Sequence, residues 1–201
     1  MLTVGLTGNF GMGKTTVLQM FGRLGAYTFN SDETVHEILK RPGIIKKISG
    51  ILGEDVLMKH LGGPSLDRRR MADIIFRDPH KREKVEKVIH PEVLKSLKTT
   101  ESRISAEDPS AVIVFEVPLL FEAGYGKYFD RTVVVYCRRE TAVRRLAEKG
   151  VARDEALRRM RSQMPITKKK KMADFVIDNS NGIRETDAQV RRVFRLLQDQ
   201  G

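Results

Sequence analysis

One stretch near the start of the chain restricts the possible folds more than any other. Residues 8–15 read Gly-Asn-Phe-Gly-Met-Gly-Lys-Thr, which matches the phosphate-loop pattern of Gly, four residues of any type, then Gly-Lys-Ser/Thr. An apolar run at Leu2–Thr7 precedes this loop, and apolar residues with helical spacing follow it. The order of strand, glycine-rich loop and helix predicts a nucleoside-triphosphate site.

Each residue type in this phosphate loop has a chemical reason to be there. Glycines let successive backbone N–H groups point into one concavity, and the new helix adds unpaired N–H groups and a positive dipole end. Lys14 supplies a mobile charge for the β- and γ-phosphates, and the Thr15 hydroxyl is placed to bind Mg²⁺. The alternative is a glycine-rich turn that only caps a helix. The predicted ATP-binding residues here are Gly8, Asn9, Phe10, Gly11, Met12, Gly13, Lys14, Thr15 and Thr16.

The remaining apolar runs predict an α/β fold. Runs at residues 26–29, 111–115, 132–137 and 175–177 indicate further strands, so that about five parallel strands are expected. Their alternation with helical patterns predicts a three-layer α/β/α core with its ligand site at the carboxyl ends of the strands. From the break at Pro42-Gly43 to about Ala106 the sequence is almost wholly helical in pattern. That is more than a crossover needs, and it predicts a helical substrate-binding domain.

Composition limits the partners and the compartment. The chain has 37 Lys and Arg against 26 Asp and Glu, a net charge of +11. Such an excess favours nucleic acid or a multiply phosphorylated small substrate. The single cysteine, Cys137, cannot form a disulfide within the chain, and we interpret it as a core residue at a strand end. Because we recognise no signal peptide and no apolar run long enough for a bilayer, we expect a cytoplasmic protein without a membrane partner.

Further motifs are distributed along the whole chain. They are Ser31-Asp32 after the second strand, Leu66-Asp67-Arg68 before a helix, His90-Pro91, Pro-Leu-Leu-Phe-Glu at residues 118–122, Gln163, and Ala-Asp-Phe-Val-Ile-Asp-Asn at residues 173–179. In this combination and at these distances the chain resembles the dephospho-coenzyme A kinases. The phosphate loop alone is shared by many families, whereas the combination is far more specific.

The resemblance implies a reaction and a division of the chain. The reaction is transfer of the γ-phosphate of ATP, with Mg²⁺, to the 3′-hydroxyl of the dephospho-coenzyme A ribose, the last step in making coenzyme A. The implied parts are a phosphate-loop nucleoside-triphosphate-hydrolase-like core (residues 1–31, 108–137 and 172–201), a helical substrate domain (32–107) and a helical lid (138–171). We expect a monomer or weak homo-oligomer without a stable nucleic-acid partner.

The resemblance also implies roles for individual residues. Asp32 is the expected general base, or the group that orients the ribose hydroxyl, although an acid in a first helical turn can simply complement the dipole. Lys14 and the lid residue Arg145 are expected to neutralise charge on the transferred phosphoryl group. The expected substrate-binding residues are Asp32, His36, Arg68, His90, Pro118 and Leu119.

Two further residues have both a functional and a structural interpretation. Glu116, at the carboxyl end of an apolar strand, is expected to hold Mg²⁺ through water, beside Thr15 as the other metal-binding residue, or else to be a structural acid. Asn179 is expected to shape the loop beside the adenine of ATP, or else to be a plain turn residue.

The chain also departs from the family pattern. Asn30 stands where the family usually has Asp, Glu116 where many members have Asp, and Lys149 where the lid usually has Arg, and the four lysines at residues 168–171 are not a family feature. Three other hypotheses stay open. A kinase of the nucleoside monophosphate type would share the phosphate loop and an arginine-rich lid, the net charge of +11 would suit a basic nucleic-acid-binding NTPase, and the carboxylate lost at Asn30 would suit a degenerate enzyme that binds without turnover.

Overall fold

The structure is a computed structural model that describes residues 1–60 and 63–200. The strands are β1 (Leu2–Thr7), β2 (Tyr27–Asn30), β3 (Leu57–His60), β4 (Gly63–Leu66), β5 (Val112–Glu116), β6 (Arg131–Tyr136) and β7 (Phe175–Asp178). The helices are α1 (Lys14–Arg23), α2 (Ser31–Ile38), α3 (Pro42–Leu52), α4 (Arg68–Arg77), α5 (Pro79–Glu107), α6 (Arg139–Ala147), α7 (Arg153–Arg161), α8 (Ile166–Met172) and α9 (Ile183–Gln198). None of the described helices is both long and apolar enough to cross a membrane.

Five of the strands form one parallel sheet. Their order is β2-β5-β1-β6-β7, so the strand that leads into the phosphate loop is the central one. Strand β1 is buried along its whole length and pairs with β5 on one side and β6 on the other. Each of the five strands begins and ends within one residue of its predicted run. The prediction of a five-stranded parallel core is confirmed.

Helices cover this sheet, which gives the three-layer architecture. On one face, side chains of α1 and α9 form a continuous apolar core with alternate residues of β1, β5 and β6. Phe21 and Phe194 meet there edge to face, with ring centroids 6.3 Å apart. Because side chains alternate along a strand, Phe115 points to the opposite face, where it stacks on Phe29 at 5.3 Å.

Two aspartates hold the amino-terminal ends of neighbouring strands in the same way. Asp130 Oδ2 accepts hydrogen bonds from Thr3 N at 2.8 Å and from Thr3 Oγ1 at 2.7 Å. Asp174 Oδ2 accepts from Thr132 N and Thr132 Oγ1, both at 2.7 Å. Each aspartate directly precedes its own strand and binds the strand beside it. These two equivalent contacts fix the strand register at the amino-terminal end of the sheet, which is opposite the phosphate loop.

The chain divides into two compact units, Met1–Asn30 with Arg103–Gly201 and Ser31–Ser102. Helices α6, α7 and α8 fall in the first unit. The boundaries expected for a substrate domain and a lid remain predictions.

The second unit is built around its own apolar cluster. Helices α2, α3, α4 and α5 contribute to it. Asp67 begins α4 as expected, with its Oδ1 atom accepting from Arg69 N and Arg70 N at 3.0 Å. Asp78 does the same at the start of α5, and this long helix contains Pro91 in its interior.

The second unit also corrects the expectation of an almost wholly helical segment. Strands β3 and β4 pair as an antiparallel hairpin, with Leu57 opposite Leu66. Sequence patterns missed this hairpin because the strands are short and β4 contains Gly63 and Pro64, two residue types that are depleted in strands. The sequence also predicts a turn at residues 62–64, of which Gly62 lies outside the described residues.

The aspartate contacts make a prediction about stability. Replacing Asp174 with alanine should lower the free energy of unfolding by about 1–2 kcal/mol, less than the full value for a charged hydrogen bond, because Asp174 is exposed while its partner Thr132 is buried. The reason is that two donors of Thr132 lose their acceptor. Urea unfolding followed by circular dichroism measures the change. As a control, Asp187→Ala removes only the exposed pair with Arg191 and should cost below about 0.5 kcal/mol; equal losses would contradict the assignment.

Candidate active site

The phosphate loop leaves the carboxyl end of the central strand and ends at the first turn of α1. Gly13 caps this helix with φ 89°, a left-handed conformation that side chains rarely adopt. A Cβ atom at Gly13 would lie 2.1 Å from Asn179 Nδ2, and one at Gly8 would lie 2.2 Å from Val135 O. Both positions therefore require glycine. Lys14 is half-buried as the first residue of α1.

The two predicted metal-binding residues lie together. Thr15 Oγ1 donates a hydrogen bond to Glu116 Oε2 at 3.2 Å. Glu116 is the last residue of β5 and is only 4% exposed, while Thr15 is exposed. A hydroxyl and a carboxylate are hard oxygen ligands of the kind that Mg²⁺ prefers. Within residues 1–60 and 63–200 there is no group of three or more His, Cys, Asp or Glu side chains able to hold a metal ion.

Asn179 fastens the phosphate loop. Its side chain is buried, its Nδ2 atom donates to Met12 O at 3.0 Å, and its Oδ1 atom accepts from Thr186 Oγ1 at 3.1 Å. The observed contacts of this side chain are thus with the loop backbone and with α9. A position beside the adenine of ATP remains a prediction.

Arg145 lies beside the same region. It extends from α6, and its Nη1 atom donates to Asn179 O at 2.9 Å and its Nη2 atom to Asn181 O at 3.5 Å. The structure therefore brings Arg145, Asn179 and the phosphate loop into one neighbourhood, at the carboxyl end of β7. A contact of Arg145 with phosphate remains a prediction.

The tip of the phosphate loop is held by residues that the sequence did not single out as functional. Phe10 N donates to Gln163 Oε1 at 2.7 Å, and Asn9 Nδ2 donates to Met164 O at 3.1 Å. The guanidinium carbon of Arg159 lies 3.8 Å from the centroid of the Phe10 ring. In the sequence Gln163 stood out only as one element of the family resemblance. Nothing local indicated that this side chain reaches the loop.

Asn9 has one further property. The side chain is 5% exposed, and within the described part of the chain its Oδ1 atom has no hydrogen-bond partner. The opposite amide assignment would set Oδ1 against the carbonyl oxygen of Met164, so the orientation with Nδ2 as donor is the favourable one.

The predicted substrate residues of the first unit lie in the segment after β5. Pro118 is half-buried, and its carbonyl oxygen accepts from Thr7 Oγ1 at 3.1 Å and from Lys169 Nζ at 3.2 Å. Leu119 is 36% exposed. The backbone of this segment is therefore tied to the end of β1, while the side chain of Leu119 remains accessible.

The other predicted acceptor residues belong to the second unit. Asp32 is exposed in the first turn of α2, and His90 is half-buried within α5 directly before Pro91. His36 and Arg68 come together, with Arg68 Nη1 2.9 Å from His36 Nδ1. Because arginine can only donate, Nδ1 is the acceptor in this contact.

A polar cluster joins the ends of β6 and β7. Tyr136 donates from its hydroxyl to Asp178 Oδ2 at 2.6 Å, and Lys170 Nζ lies 3.6 Å from the centroid of the Tyr136 ring. Burial works to raise the pKa of Asp178, but hydrogen bonds from Ser180 and Tyr136 outweigh it and hold that pKa below its usual value. The hydrogen bond to Asp178, together with burial, raises the pKa of Tyr136.

Cys137 follows this strand and is 3% exposed. Burial raises the pKa of its thiol above the usual value. A buried, protonated thiol is inert, which agrees with the interpretation of Cys137 as a core residue.

A parallel five-stranded sheet with a complete phosphate loop after its central strand defines a phosphate-loop nucleotide-binding protein of the small-kinase type. The model of the dephospho-CoA kinase family matches residues 2–185. The chain therefore belongs to the dephospho-CoA kinase family.

Individual relatives agree with this assignment. The chain is 35% identical over 198 residues to a dephospho-CoA kinase of Aquifex aeolicus, covering 98% of each protein. It is 36% identical over 190 residues to one of Listeria monocytogenes, covering 94% of this chain and 93% of the relative. A solved protein of Thermus thermophilus superimposes with a TM-score of 0.84 at 32% identity, covering 97% of this chain and 96% of the other.

The Tyr136–Asp178 contact predicts a pH-dependent effect on stability. Tyr136→Phe removes a donor to the carboxylate and should lower the free energy of unfolding at pH 7 by about 1 kcal/mol, a modest value because the pair is partly exposed. The folded pKa of Asp178 is depressed, so its stabilising contribution is present above the unfolded pKa of about 3.9 and is lost as pH falls through the folded value. The difference between the two proteins should therefore shrink in acid.

Urea unfolding of both proteins at pH 7 and in steps towards pH 2 measures this effect. Tyr128→Phe is the matched control, because Tyr128 is 45% exposed, and it should leave stability nearly unchanged. A Tyr136→Phe deficit that stayed constant with pH would contradict the role given to Asp178.

Proposed function

We propose that the protein transfers the γ-phosphate of ATP to the 3′-hydroxyl of dephospho-coenzyme A, giving coenzyme A and ADP. The observation that carries the proposal is the complete, glycine-dependent phosphate loop at the central strand of a chain that belongs to this family. Membership in the family favours dephospho-coenzyme A over nucleoside monophosphates as the acceptor. It also argues against the two other hypotheses, the nucleic-acid-binding NTPase suggested by the net charge and the degenerate enzyme suggested by Asn30.

The phosphate loop is the part of the protein that binds ATP. The β- and γ-phosphates are received by the ammonium group of Lys14 and by backbone N–H groups of residues 8–15. The N–H groups of Phe10 and Met12 are excepted, because they donate to Gln163 Oε1 and Asn9 O. Phosphoryl transfer leaves little covalent chemistry to the protein, so that catalysis depends on positioning and on neutralising charge. The contacts of Asn179 with Met12 and of Gln163 with Phe10 support such a role, because they hold the loop backbone in place before the nucleotide arrives.

Thr15 and Glu116 suit the Mg²⁺ ion that the family implies. They offer a hydroxyl and a carboxylate oxygen within 3.2 Å of each other at the start of α1. Magnesium in such sites takes one or two protein oxygens and completes its shell with phosphate oxygens and water. When bound, the ion would neutralise charge on the phosphates.

The residues that we assign to the acceptor belong to the second unit. We assign Asp32 as the group that orients or deprotonates the ribose 3′-hydroxyl, with His36, Arg68 and His90 as acceptor-binding residues. An acidic side chain in hydrogen-bond reach of the hydroxyl is what general-base catalysis needs. Arg145 is assigned to the charge that develops on the transferred group, a task that suits a planar guanidinium.

We also propose that the enzyme is a cytoplasmic monomer or weak homo-oligomer that makes no stable complex with nucleic acid. Its net charge of +11 then serves to attract ATP and a diphosphate-bearing acceptor.

The reaction itself is the first test. Purified protein, Mg²⁺-ATP and dephospho-coenzyme A should give a product heavier by one phosphoryl group in mass spectrometry. Adenosine, AMP and other nucleoside monophosphates run alongside should remain largely unmodified. Preference for one of these acceptors would leave the assignment of ATP binding to the phosphate loop intact and would contradict dephospho-coenzyme A as the acceptor.

Asp32→Asn tests the general base. We expect kcat to fall by about 10²–10⁴, the usual contribution of a positioned base, with ATP affinity preserved. Glu33→Gln is the matched control, because Glu33 is an exposed acid in the same first turn of α2. Equal effects of the two substitutions would mean that the acids only complement the helix dipole. Lys14→Ala should lose both binding and turnover.

Glu116→Gln tests the metal-binding residues without measuring turnover. Calorimetric titration with ATP should show that Mg²⁺ strengthens binding to the wild type and strengthens it far less in Glu116→Gln and Thr15→Val. Thr15→Ser keeps the hydroxyl and should behave as the wild type. Full retention of the Mg²⁺ effect in Glu116→Gln would show that Glu116 is a structural acid.

A further inference from the structure

Lys169 differs from the other residues of the lysine run at 168–171. Its side chain is fully buried, with 0% exposed, whereas Lys168 and Lys171 are exposed. A buried ammonium group is tolerated only where ionic and hydrogen-bonding partners replace water. Its Nζ atom lies 2.8 Å from Glu122 Oε1 and donates to Pro118 O at 3.2 Å. The run thus contains one fully buried, ion-paired charge, with exposed lysines at both ends of the run.

The carboxylate that pairs with Lys169 also holds the connection between α7 and α8. Glu122 Oε1 accepts a second hydrogen bond, from Met164 N at 3.0 Å. Met164 in turn accepts from the side chain of Asn9 through its carbonyl oxygen at 3.1 Å. The ion pair is therefore two contacts away from the tip of the phosphate loop.

The same ammonium group is linked through the Pro118 carbonyl to the other side of the loop. Pro118 O, which accepts from Lys169, also accepts from Thr7 Oγ1 at 3.1 Å. Thr7 and Asn9 are the two neighbours of Gly8, the first glycine of the loop. The contacts thus form a ring that begins and ends beside Gly8, with the buried ammonium group between its two halves.

We propose that Lys169 is a positioning residue for the phosphate loop. By fixing Glu122 and the Pro118 carbonyl it holds the backbone on both sides of Gly8, and so keeps the N–H groups of the loop directed at a bound triphosphate. The proposal requires only that the loop binds a nucleoside triphosphate, so it does not depend on the identity of the acceptor.

A buried ion pair that served only the stability of the fold would show the same contacts. The two roles differ in what they demand of the folded protein. A positioning residue changes the nucleotide affinity and the order of the loop even where every molecule is folded. A purely structural pair changes only the unfolding midpoint.

The lysine run offers its own matched control. Lys169→Met removes the buried charge at similar length, and Lys168→Met removes an exposed charge from the same helix. A non-hydrolysable ATP analogue is titrated by calorimetry, without acceptor and well below the unfolding midpoint of each protein. We expect Lys169→Met to bind about 10- to 100-fold more weakly, the scale of losing one hydrogen bond between the loop and a charged phosphate. Lys168→Met should bind as the wild type does.

Glu122 gives a second pair of variants, which keeps the test valid if Lys169→Met fails to fold. Glu122→Gln keeps an oxygen acceptor for Met164 N, whereas Glu122→Leu has none. We expect Glu122→Leu to lose nucleotide affinity and Glu122→Gln to retain most of it. Hydrogen exchange read by mass spectrometry should be faster at residues 8–13 in Lys169→Met and Glu122→Leu, and unchanged in Lys168→Met.

One result would overturn the proposal: a lower unfolding midpoint in Lys169→Met and Glu122→Leu, with nucleotide affinity and hydrogen exchange at residues 8–13 as in the wild type. A failure of the proposed reaction would be separate, because no acceptor is present in these measurements. It would show in the phosphorylation assay and leave the effect of Lys169 on nucleotide binding intact.

Discussion

The hydrogen bond from Asn179 Nδ2 to the carbonyl oxygen of Met12 shows the constraint on which the site depends. An N–H group that is presented to phosphate cannot also serve the loop's own secondary structure, so side chains from elsewhere in the chain hold the loop: Asn179 at the Met12 carbonyl group and Gln163 at the Phe10 N–H group. Gly13 leaves room for the Asn179 amide, since a Cβ atom there would lie 2.1 Å from Nδ2. Gly13 and Asn179 therefore depend on each other, although they are far apart in the chain.

The contacts that set the strand register and the groups of the proposed site lie at opposite ends of the sheet. At the amino-terminal end, Asp130 and Asp174 each bind a threonine of the neighbouring strand. At the carboxyl end, the polar groups of Glu116 and Asn179 meet the phosphate loop. Residues at the carboxyl end can therefore be substituted to suit a ligand without loss of the strand register, because that register is fixed at the other end.

The sequence predicts the core well and the supports of the site poorly, and the reason is the range of the interactions. Continuous apolar runs locate each parallel strand within one residue, because burial on both faces leaves a local signal. The hairpin of β3 and β4 leaves no such signal. Gln163 and Lys169 look like ordinary members of a polar, basic segment, and their roles come from partners elsewhere in the chain, Phe10 and Glu122.

The departures from the family pattern can be judged by where the structure places them. Asn30 ends β2 and pairs with Glu116 in the sheet, so the missing carboxylate leaves the backbone position intact and removes one negative charge next to the proposed metal site. In the proposed site, Glu116 and Thr15 would supply hard oxygen ligands to the ion, so one carboxylate fewer is compatible with the proposal. The lysine run at residues 168–171 is likewise not a uniform charged surface. Lys169 is committed to Glu122, Lys170 lies over the ring of Tyr136, and the exposed members add to the positive field. A basic stretch here thus combines support of the loop with attraction of anions, and the two effects separate residue by residue.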